Sequence, residues 1–70
     1  MLQPGQKIMV KQNLRVDNFY GGSRFHNGMS KYCGLKGFVR GHVYYDSSKY
    51  SISVDPEGYD WTEAMLTVIE

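Results

Sequence analysis

Residues 36–54, KGFVRGHVYYDSSKYSISV, decide the fold. Val39 and Val43 share one face of an extended segment, and Phe38, Arg40, His42 and Tyr44 share the other. A period of two is the mark of a half-buried strand. Gly37 and Gly41 fall on the valine face, where glycine signals a bend or a close backbone approach, as a small barrel needs at its corners. Residues 46–49, DSSK, form a turn cluster. Tyr50, Ile52 and Val54 then alternate along another strand. The spacing predicts a hairpin with strands at 36–45 and 50–54 and its turn at 46–49.

Working outward, Pro4-Gly5 is a turn signal that launches KIMVK, where Ile8 and Val10 alternate with Lys7, Met9 and Lys11. On the C-terminal side DPEG, residues 55–58, reads as a tight turn with Pro56 at its first corner. Trp61 follows on a short strand between polar Asp60 and Thr62, and is expected in the core. Asp60 and Glu63 have the spacing of a capping box, which predicts one helical turn around 62–65 before a closing strand with Leu66 and Val68. No segment has the length and 3.6 period of a stable helix. The expected fold is therefore all-β: an SH3-like small barrel of about five strands, with a long loop after strand one and one helical turn before the last strand. Its inward set is Ile8, Val10, Val39, Val43, Ile52, Val54, Trp61, Leu66 and Val68. Closing a sheet in this way removes exposed edges.

The chain has 70 residues, which suits one small domain with little stability in reserve. Usual staples are missing. A single cysteine makes no internal disulfide, and Cys33 with His26 and His42 falls short of a zinc set. No cofactor is expected. A lone thiol, the lack of an apolar leader in MLQPGQK and the lack of a long apolar run point to a cytoplasmic protein with no membrane partner. Catalysis is not expected either. Cys33 would need His26 or His42 within about 3 Å to act as a nucleophile, and no phosphate-binding loop is present.

Charge is uneven along the chain. Residues 1–45 hold seven cations against Asp17 alone, whereas residues 46–70 hold Lys49 against six carboxylates. This asymmetry either pairs up on folding or leaves a polar surface that steers a charged partner.

Three groups of residues are candidates for partner binding. The first lies in the long segment NFYGGSRFHNGMSKYCG, residues 18–34, too aromatic to be disordered. Phe19, Tyr20, Phe25, Met29 and Tyr32 are expected to pin this arm as a second small core, with Arg24, His26 and Lys31 turned outward to a partner. The second is the stripe Arg40, His42 and Tyr44, continued by Tyr45. Cations with rings suit nucleic acid or a protein interface. The third is the acidic set Asp55, Glu57 and Asp60, with Glu63, around Trp61. Asp60 has a structural reading as a helix cap and Asp55 as a turn former. The sharper reading is an acidic patch that competes with nucleic acid for a basic cleft.

The order of motifs also carries a resemblance. Gly5-x-Lys7-Ile8-x-Val10-Lys11 is followed by Leu14-x-Val16, Tyr20-Gly21-Gly22-x-x-Phe25, Met29-x-x-Tyr32-x-Gly34 and Trp61-Thr62-x-x-Met65-Leu66. This series resembles small SH3-like accessory proteins encoded by phages and prophages of Gram-positive bacteria. The resemblance implies a non-enzymatic protein-binding module in the host cytoplasm. Some similarly small phage proteins are inhibitors of host defence, anti-CRISPR proteins among them. The implied action is stoichiometric inhibition of a host protein such as a CRISPR or other defence nuclease. The alternative is a small nucleic-acid-binding barrel.

Overall fold

The alternation in KIMVK and in residues 36–54 produces strands there, the central two at Lys36–Val43 and Asp46–Ile52 rather than at 36–45 and 50–54, and their pairing sets the architecture. The computed structural model describes residues 1–69; Glu70, counted above in the acidic half, lies outside them. In chain order the strands are β1 (Lys7–Val10), β2 (Phe19–Tyr20), β3 (Ser23–Arg24), β4 (Lys36–Val43), β5 (Asp46–Ile52), β6 (Trp61–Thr62) and β7 (Leu66–Val68). Five of them form one curled antiparallel sheet, a half-barrel in the order β6-β5-β4-β1-β7, and β2 pairs with β3 alone. The rest of the regular structure is 3-10 helix, at Asn27–Tyr32 and Glu63–Met65. No helix among the described residues is long and apolar enough to cross a membrane.

The sheet's concave side holds the core. Ile8, Val10, Val39, Ile52 and Trp61 have no exposed surface, as the strand parity requires, and Leu66 is also buried. Val43 and Val54 are only half-buried at the periphery. Val68 departs from the expected inward set: it lies at the outer end of the edge strand β7 and stays exposed. Tyr50 and Met65 complete the interior.

Three further expectations are corrected. The hairpin turns at Tyr44-Tyr45, because Val43 pairs with Asp46. The DSSK segment instead opens β5 as an irregularity: one step on β4, from His42 to Val43, spans Tyr50 to Asp46 on β5. The Asp46 carboxylate accepts the Ser48 N–H at 2.9 Å and the Ser48 hydroxyl at 2.6 Å, so this polar cluster folds on itself inside the strand rather than reversing the chain. Second, the long loop has internal structure, a β2–β3 hairpin and a 3-10 helix. The Gly21-Gly22 turn has φ of +61° and +86°, the mirrored geometry that matches strand twist. Third, the arm builds no separate core. Phe25, Met29 and Tyr32 enter the same cluster as Trp61, with Tyr20 packed against it, while Phe19 stays outside.

Candidate functional site: the arm-side cleft

β3 ends in Arg24, and the chain then turns through His26 into the 3-10 helix. His26 donates its backbone N–H to Met29 Sδ at 3.2 Å, and its carbonyl accepts the Met29 N–H at 3.0 Å. That ring stacks on Tyr59, with centroids 6.0 Å apart and planes at 30°. Arg24 Nη2 donates to His26 Nδ1 at 3.0 Å, and Arg24 Nε lies 3.8 Å from Asp17 Oδ1. The tip of the β4–β5 hairpin brings Tyr45 across, and its hydroxyl donates to Asp60 Oδ1. This carboxylate beside the phenol pushes the Tyr45 pKa up to about 12.

Together Arg24, His26, Tyr45, Tyr59 and Asp60, with Ser23, Met29 and Gly58, line an open cleft of about 190 Å³. The arm and the acidic turn, joined by Ser23 and Asp60 across 37 residues of sequence, therefore meet on one side of the molecule. Ser23 Oγ donates to the Asp60 carbonyl at 3.2 Å and Thr62 Oγ1 donates to the Tyr20 carbonyl at 2.8 Å, closing the seam. Gly28 leaves room for the Tyr59 hydroxyl at this junction, and a side chain there would push that ring aside.

The remaining predicted residues divide. Lys31 Nζ sits 2.7 Å from Glu57 Oε1, which also accepts the Tyr32 hydroxyl at 2.9 Å. The shared hydrogen bond raises the Lys31 pKa and lowers that of Glu57. Asp55 is corrected from contact residue to scaffold. It is only 4% exposed, and its Oδ2 accepts the Trp61 indole N–H at 2.9 Å and the Tyr59 N–H at 2.8 Å, while Oδ1 accepts the Glu57 N–H. Burial pushes this carboxyl up, but these donors outweigh it and hold the pKa below its ordinary value. Asp60 does not cap the last helical turn: Thr62 occupies that position, and the Asp60 carboxylate is taken by Tyr45. Arg40, His42 and Tyr44 lie apart from the cleft lining, on β4 and at its hairpin tip. Burial raises the Cys33 pKa, the opposite of what activates a nucleophile.

Tyr59 was not legible as a residue of this site. Nothing local in the sequence links Tyr59 to His26. No family model, curated protein or solved structure matches the chain.

Proposed function

We propose that the chain is a non-catalytic, SH3-like binding module of the phage-encoded type, which inhibits a host protein stoichiometrically by docking through the arm-side cleft. One observation carries this reading. Phe19, Tyr44 and Tyr45 are 71%, 96% and 57% exposed; Tyr45 lines the cleft with Arg24 and Asp60, and the other two rings lie outside the lining, each next to one of its residues. Tyr44 packs edge-on against Tyr45, with centroids 5.1 Å apart, and Phe19 pairs across the hairpin with Arg24. Aromatic rings and Arg supply most of the binding energy at protein interfaces, above all around a pocket. Supporting the SH3-like assignment are five strands, a long arm between β1 and β4, and a 3-10 turn between β6 and β7.

The resemblance to phage-encoded proteins directs the search for the partner to defence nucleases of the host cytoplasm. The acidic-patch reading loses ground, because Asp55 is buried and Glu57 and Asp60 are engaged within the protein. The test is a matched pull-down from a Gram-positive lysate with the native protein and with Tyr44→Ala/Tyr45→Ala. A nuclease retained by the native protein, lost by the variant and inhibited at one equivalent is the expected result. Equal retention by a variant with the native melting temperature would place the contact elsewhere.

A further inference from the structure

The uneven charge of the sequence resolves unevenly in the fold. Each carboxylate among the described residues has a partner within the protein. Asp17 faces Arg24, Asp46 takes Lys49 and Ser48, and Glu57 takes Lys31. Asp55 takes Trp61, Asp60 takes Tyr45, and Glu63 takes the N-terminal ammonium and Tyr50. The cations are not matched in return. Lys11, Arg15, Lys36 and Arg40 face no carboxylate among the described residues.

Two of those four stand on the outer face of β4. Lys36 and Phe38 are exposed on the side opposite buried Val39, and exposed Arg40 follows at the register break between Val39 and Gly41, beyond which His42 pairs with buried Tyr50. From Lys36 to Arg40 the strand spans about 13 Å. Phe38 is 48% exposed. Beside it opens a groove of about 370 Å³ lined by Gly5, Lys7, Lys36, Gly37, Phe38 and Ile69. The outer face thus offers two cations with no carboxylate partner, a flat ring between them and an apolar groove at the ring's edge; Arg40 is engaged only by the Ser53 carbonyl, at 3.4 Å.

We propose that this face binds single-stranded nucleic acid, with phosphates against Lys36 and Arg40 and a base stacked on Phe38. The alternation of cation and ring argues for this ligand. Phosphates complement the cations, and only an unpaired base offers a free π-face to an exposed phenyl ring. Duplex buries that face in its own stack, and an acidic peptide would use the cations while leaving the ring and groove uncovered. The inference uses no residue of the arm-side cleft and stands independently of the protein-binding reading.

The test is fluorescence anisotropy with labelled oligothymidylate, with unlabelled duplex and a polyglutamate peptide as competitors. Saturable binding is expected. With two phosphate contacts it should weaken about sevenfold between about 50 and 200 mM salt. Phe38→Ala should weaken it about tenfold at constant salt, and Phe38→Tyr should restore it. Lys36→Ala/Arg40→Ala should flatten the salt dependence. All three variants alter exposed side chains, so unchanged thermal melting certifies the fold. Absence of binding at low salt overturns the proposal, as does full binding by Phe38→Ala. Displacement by polyglutamate as effective as by oligothymidylate overturns it in favour of an acidic protein ligand.

Discussion

Asp55 shows how one side chain can join a turn to a core. It closes the DPEG turn by accepting the Glu57 N–H at 2.8 Å and reaches inward to the indole of Trp61. Replacing it with Ala orphans a buried indole N–H and two backbone donors, so Asp55→Ala should cost about 2–3 kcal/mol in urea denaturation. The same carboxyl sets a pH dependence. Its pKa is lower folded than unfolded, so its contribution is fully present above the unfolded value, about 3.9, and is lost as pH falls through the folded value. Urea midpoints should therefore drop below about pH 4, and in Asp55→Asn that drop should be shallower. The turn-forming role of Asp55 was legible in DPEG; its contact with Trp61 was not, because both residues use polar groups that have many local alternatives.

The arm is held as an element by its rings and by one demanding turn. Gly21 and Gly22 both have positive φ, but a Cβ on Gly21 would come 2.8 Å from Thr62 Oγ1, whereas Gly22 faces open space. Gly22→Ala should cost about 1–2 kcal/mol for the left-handed backbone alone. Gly21→Ala should cost more, and the difference between the two, read from chemical denaturation, isolates the close packing of the arm on β6. Within the arm, Phe25 is fully buried while Lys31 pairs with Glu57 at the surface. Phe25→Ala should therefore cost about 3–5 kcal/mol. Arg24→Ala/Lys31→Ala should leave the melting temperature nearly unchanged, because exposed ion pairs contribute little. Sorting rings from charges was possible from sequence, since burying an unpaired cation is costly. The internal hairpin and 3-10 helix were not, because two-residue strands and short 3-10 turns carry too few residues for a periodic signal.

For the whole molecule, the decisive quantity is how little core there is. A single cluster centred on Trp61 serves both the half-barrel and the arm, and Tyr32 meets the indole edge-on with centroids 5.9 Å apart. Trp61→Ala should cost about 3–5 kcal/mol, similar to all that a core in a domain this small supplies. Cooperative melting, followed by near-ultraviolet circular dichroism, should be absent near room temperature. A variant that melts within a few degrees of the native protein would show that the arm and the sheet are stabilised separately.

What the amino-acid order determined by itself was the all-β character, the inward parity of Ile8, Val10, Val39 and Ile52, and the helical turn before β7. These are local properties: side chains two residues apart share a face whatever the rest of the chain does. The tertiary structure alone decided where the central hairpin reverses, since Tyr44-Tyr45 and DSSK are both sterically able to turn and only the pairing of Val43 with Asp46 chooses between them. It also decided which charges are used. Lys31 finds Glu57 and Arg24 finds Asp17, while Lys36 and Arg40, exposed on β4 to either side of buried Val39, find no carboxylate among the described residues. Pairing between charges far apart in the chain follows from sheet geometry, and composition records only how many there are.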